Sequence, residues 1–192
     1  MAEKPQSPIS VIKEQFAVLG VLVVLIGTVY TDYYYASFGL RYQSLNLPAS
    51  HIIYRGLTVL RDAPYVALPY LVAVLWLVID SGAKHPWLVS NRTAISYTVI
   101  ASVLFLSYWL ASIAGSRSAA TDLSTSSTLP RIKQLVSSVE GKFPCETADA
   151  CRLLLIDGDY LYVFTPTDKK SSIPNVIRLD KKAFNEISTG TQ

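Results

Sequence analysis

The sequence predicts a polytopic α-helical membrane protein with three transmembrane helices, an interfacial helix in the first loop, and a small C-terminal α/β domain of order α-β-β-β-α. Three observations lead there. Apolar, uncharged runs cover residues 16–35, 63–79 and 93–116, each near the length that crosses a hydrocarbon core. Only 16% of the 192 residues are charged, where a soluble domain carries about a quarter. The charges also cluster at the N-terminus, between the apolar runs and in the last third.

Residues 1–15 form a polar lead with Pro5 and Pro8. The first span then holds no charge between Glu14 and Asp32, and its far end carries Tyr30, Tyr33, Tyr34 and Tyr35, as interface-level aromatics do. It reads as a span rather than a cleaved leader, because bulky tyrosines stand where a peptidase needs small residues. Ala17, Gly20, Val24, Gly27 and Thr31 recur at helical steps along one face. Small residues let helix backbones approach closely in lipid, so Ala17, Gly20, Gly27 and Thr31 are the expected helix-packing seam.

Phe38-Gly39 marks a turn in the first loop. Beyond Pro48, Ile52, Ile53, Leu57 and Leu60 share one face, with His51, Arg55 and Arg61 as polar company. That segment is too short to span and is expected to lie in the interface plane. The second span contains Pro69, which removes a backbone donor and crowds the carbonyl of Tyr65, so a kink is expected there. The turn through residues 80–92 makes the second and third spans antiparallel neighbours. In the third span, Ser96, Ser107, Ala111 and Ser112 belong to a small, hydroxylated side. Such a face packs against another helix or lines a pore.

Residues 117–128, rich in Ser, Thr and Ala, read as a tether to a soluble domain at 129–192. Pro130 is expected to open a helix with Ile132, Leu135, Val136 and Val139 on one face. Residues 152–157 and 160–165 are strand-like around Asp157-Gly158-Asp159, a hairpin signal. A third strand covers Val176 to Leu179, and Asp180 is placed to cap a closing helix with Ala183, Phe184 and Ile187. Cys145 and Cys151, with five residues between them, are a possible disulfide that would staple a thin core.

Arginines and lysines flanking the spans nearly balance: Lys4, Lys13, Lys84 and Arg92 on one side, Arg41, Arg55, Arg61, Arg117 and Arg131 on the other. Disulfides persist outside the cytoplasm, which places the N-terminus in the cytoplasm and the small domain outside it, with a bacterial inner membrane as the expected location. His51 and His85 stand alone, and no nucleophile elbow, phosphate loop or zinc spacing occurs, so no catalytic, cofactor or metal site is expected. A net charge of +3 in scattered residues does not suggest nucleic acid. The expected partners are the lipid bilayer and either further copies of the chain or another membrane protein. The function expected is non-catalytic assembly, as a membrane subunit, receptor or immunity-type protector, with a homo-oligomeric channel lined by the third span as the alternative.

Overall fold

Long apolar runs without glycine clusters or internal proline favour unbroken helices, and the chain has two of unusual length. The computed structural model describes residues 8–82, 86–124, 127, 129–137, 151–166, 174–181 and 184–190. The chain divides into two units, residues 1–31 with 49–114, and residues 32–48 with 115–192.

Helix α1 runs Pro8–Ala36. Its end is a Schellman cap: Leu40 N–H donates to Tyr35 O and Gly39 N–H to Ala36 O, with Gly39 at φ 75°. A side chain would be strained at that dihedral, so Gly39 fixes where the helix stops. Helix α2 runs Ala49–Asp62. A 3₁₀ turn at Pro64–Ala67 separates it from α3, Leu68–Gly82, and the two arms meet at 104°. The cause is Pro64, which drives the preceding Ala63 out of the helical region, to φ −132° and ψ 65°. Pro69, where a kink was expected, occupies the first turn of α3, where a missing N–H costs nothing. The bend therefore lies one element earlier than the sequence reading placed it.

Helix α4 runs Pro86–Leu123. It extends through most of the expected tether, because Ala119 and Ala120 favour helix and no Gly or Pro intervenes before Pro130. Two helices are long and apolar enough to cross a membrane, through windows at Leu19–Ala36 and Ala94–Leu123. The second window holds 30 residues, about 45 Å of helix, which outruns a hydrocarbon core of about 30 Å.

The C-terminal part is a five-stranded antiparallel sheet rather than α-β-β-β-α. Its strands are β1 (Arg131–Ser137), β2 (Arg152–Asp157), β3 (Tyr160–Phe164), β4 (Val176–Asp180) and β5 (Phe184–Gly190), in the order β4-β3-β2-β1-β5. The expected first and last helices are β1 and β5, which pair from Arg131↔Gly190 to Ser137↔Phe184. Ile132, Val136 and Ile187 are β-branched, and two register irregularities in the pair absorb a pattern that is not strictly alternating. Strand pairing between segments some fifty residues apart overrides the local helical spacing. The expected hairpin is present, with Asp157 opposite Tyr160 and Gly158 at φ 50° in its turn.

Candidate functional site

Two contacts, one in each unit, and one groove stand out. The first is a crossing of α1 and α2. A Cβ added to Gly27 would strike Ile52 O and lie 3.0 Å from Gly56 N, and one added to Gly56 would strike Val23 O. Each glycine therefore turns a Cα hydrogen toward the other helix's carbonyl, the recurrent geometry of weak Cα–H···O contacts at helix crossings. Gly56 was not singled out by its sequence, yet its spacing from Ile52 and Val59 puts all three on one side of α2. Gly56 and Val59 are buried while Ile53 and Leu57 are exposed.

The expected seam residues divide accordingly. Gly27 is in the crossing, and Thr31 is buried with no hydrogen-bond partner for its oxygen among the described residues. Gly20 meets nothing within 4 Å, and Val24 beside it is exposed. Ala17 lies in α1, outside the residues whose side chains are described. On α4, Ser107, Ala111 and Ser112 are buried within the chain and Ser96 is half-buried. Ser112 Oγ donates to Trp109 O at 2.7 Å, while Ser107 Oγ has no partner among the described residues. Burial inside a single chain suits packing better than the wall of a conduit.

The second contact is an aromatic column in the unit that holds the sheet. The Tyr34 ring stacks edge-on to Tyr35 at 5.2 Å and lies 5.3 Å from Phe38, and Phe38 meets Phe164 of β3 edge-on at 5.0 Å. All four are almost fully buried. Tyr34 Oη donates to Asp122 Oδ2 at 2.7 Å, joining the last turns of α1 and α4. Asn46 N–H donates to Asp157 Oδ2 at 3.2 Å, holding the first loop to the β2–β3 hairpin. The sequence places the tyrosines at the interface end of the span, in support of the parts beyond it; of the four, Tyr34 and Tyr35 join Phe38 in the buried column. The small spacing between Tyr34 and Phe38, one helical turn, was the available signal.

The groove lies between α3 and α4, about 340 Å³, and Leu68, Val72, Val99, Val103 and Leu106 are among its lining residues. Thr98 also lines it, but its hydroxyl is already spent on Ala94 O at 2.9 Å. On α2, His51 is held below its ordinary pKa by burial first and by the charge of Arg55 second. Arg61 and Asp62 form an exposed ion pair at 2.7 Å, which solvent screens.

Cys151 is fully buried and no cysteine is free among the described residues; Cys145 lies outside them. Among the described residues no three His, Cys, Asp or Glu side chains gather as a metal site would require. No protein-family model, no curated protein and no solved structure matches the chain.

Proposed function

We propose that the chain is a non-catalytic integral membrane protein that works by assembly, as a membrane subunit, receptor or immunity-type protector that binds a partner. The observation that carries this reading is the column Tyr34–Phe38–Phe164 with the Tyr34–Asp122 hydrogen bond. It ties the sheet to the ends of both long helices, so a partner that displaces the sheet acts directly on those ends. An independently tethered module would transmit nothing.

In this reading the 3₁₀ turn and α3 together make the second of three spans. Residues 64–82 give about 30 Å, enough to cross. The 104° bend then lays α2 in the interface plane, with Ile53 and Leu57 toward acyl chains and Arg55 and Arg61 at headgroup level. A Cys145–Cys151 bridge sets the sheet outside the cytoplasm and the N-terminus inside, in a bacterial inner membrane.

Native mass spectrometry of the chain extracted in mild detergent tests the assembly. A defined stoichiometry with further copies or with one second protein is expected. A strictly monomeric chain with nothing bound would sink the reading. Ion flux through liposomes holding the purified chain, abolished by Ser107→Leu, would establish the pore in its place.

A further inference from the structure

We propose that the groove between α3 and α4, with Arg61 and Asp62 beside one end, takes one acyl chain of a phospholipid whose headgroup carries both a phosphate and an ammonium. The groove holds about 340 Å³ and follows α4 from Thr98 to Leu110. That length of helix rises about 18 Å, so the mean cross-section of the groove is about 20 Å². A helix with its side chains is about 10 Å wide and needs roughly four times as much. The span of a second copy therefore does not fit inside it, whereas a single hydrocarbon chain does. A methylene takes nearly the volume of a water molecule, about 30 Å³, so about eleven fit in single file.

The walls suit such a chain. Leu68 and Val72 of α3 face Leu106 and Leu110 of α4 across the space. Two hydroxyl residues also line it: Thr98 donates to Ala94 O, and Ser102 is exposed. Leu68, Val72 and Leu106 stay exposed themselves, so the groove is open along its side. An acyl chain can enter from the bilayer without parting the helices.

Charge selects the headgroup. Leu68 opens α3 directly after the 3₁₀ turn, so that end of the groove meets the joint with α2. A 3₁₀ turn rises about 2 Å per residue, which puts Asp62, the last residue of α2, about 12 Å from Leu68. An arginine side chain and a glycerol backbone together bridge that gap. Arg61 and Asp62 are exposed there, 2.7 Å apart, and are the only charged residues from Gly56 to Ile79. An arginine alone would accept any lipid that bears a phosphate. With a carboxylate beside it the pair is neutral. Arg61 meets the phosphate, while Asp62 meets the ammonium and repels a headgroup that is only anionic. The site rests on the three-span reading, in which α3 crosses the bilayer and α2 lies at its surface.

The test follows the full chain in maltoside detergent by native mass spectrometry. Phosphatidylethanolamine and phosphatidylglycerol with the same acyl chains are titrated separately. One phosphatidylethanolamine per chain is expected to saturate, at a roughly three- to fivefold lower concentration than phosphatidylglycerol, the scale of an exposed charge contact. Asp62→Asn should erase that preference. Leu106→Trp fills the groove and should weaken both lipids roughly tenfold, and Val72→Phe serves in its place if it fails to fold. Equal binding of the two lipids by the wild type, a preference that survives Asp62→Asn, or unchanged binding by the groove-filling variant overturns the site. So does an oligomer that retains no lipid, because a second copy then covers the groove. A chain that stays in solution without detergent sinks the three-span reading itself, whereas one that needs detergent but binds both lipids alike sinks only this site.

Discussion

The two units of this chain treat large apolar side chains in opposite ways. In the unit of residues 1–31 and 49–114, Val21, Val72, Leu75 and Phe105 are exposed, Phe105 by 69%, and α1 and α2 approach backbone to backbone at Gly27 and Gly56. In the unit of residues 32–48 and 115–192, Tyr34, Phe38, Leu161 and Phe164 are buried, Phe164 completely. The first pattern is what a hydrocarbon solvent permits, since lipid is as apolar as leucine and only close backbone approach and polar contacts add stability. The second is what water demands, since burial of apolar area is the driving term there. The contrast is the one expected of a chain that meets two solvents, and the two units divide near Thr31 on α1 and Ala114 on α4.

The largest effect expected from that contrast is at the aromatic column. Phe38→Ala removes the ring that joins Tyr34 to Phe164 and should cost about 3–5 kcal/mol. Phe105→Ala, an equal loss of ring at an exposed position of α4, should change stability by under about 0.5 kcal/mol in detergent. Chemical unfolding followed by tyrosine and tryptophan fluorescence compares the two. Equal costs would break the two-solvent account.

Next in size is Tyr34→Phe, which keeps the ring and deletes the donor to Asp122. A hydrogen bond to a carboxylate is worth about 1.5–3 kcal/mol, and the same unfolding measurement should show a loss in that range. A change below about 0.5 kcal/mol would mean that the helix ends are not joined through this contact.

The glycines offer a pair of opposite sign. Gly56→Ala places a methyl against Val23 O, backbone that cannot yield without parting the helices, and should cost about 1–3 kcal/mol. Gly20→Ala meets nothing and should gain up to about 1 kcal/mol of helix propensity, so thermal midpoints in detergent should move apart. A shift of like sign would place the crossing elsewhere.

How much of this was legible follows the range of the interactions. The long helices were readable because an uncharged run in lipid has one way to satisfy its backbone. The β2–β3 hairpin was readable because Asp157-Gly158-Asp159 carries its turn in three residues. Strands β1 and β5 were not, because Ile132, Leu135, Val136 and Val139 are spaced as on a helix face and the pairing partner lies some fifty residues on. Pro69 drew attention that belonged to Pro64, which breaks the chain through its effect on Ala63. Gly27 was legible within a small-residue pattern on α1 whose Gly20 meets nothing and whose Val24 is exposed, but its partner Gly56 was not, because one glycine on a polar-faced helix has no periodicity of its own.

A smaller effect bears on the hydroxyl face of α4. Ser107 is buried and its oxygen has no partner among the described residues. Ser107→Ala should be neutral or stabilising by up to about 1 kcal/mol, because it removes an unsatisfied group at little cost in volume. A clear loss of stability would mean that the hydroxyl is bonded to something the single chain does not contain, and would favour the conduit.

The smallest expected effect is one of pH, on α2. His51 is partly buried, and Arg55 Nε lies 3.5 Å from its Nε2, a long contact. Burial and then the Arg55 charge lower its pKa from 6.5, so the folded chain binds fewer protons than the unfolded one just below that value. Stability must therefore rise with pH through that window and level off above the unfolded pKa, and it falls as pH drops toward the folded pKa. His51→Gln should flatten this slope between about pH 5 and 7, while leaving stability at pH 8 nearly unchanged. Imidazole signals followed by NMR across the same range should show His51 titrating below a free histidine. Titration at or above the free value would mean that the ring sees neither the burial nor the Arg55 charge, and would detach α2 from the face it shares with α1.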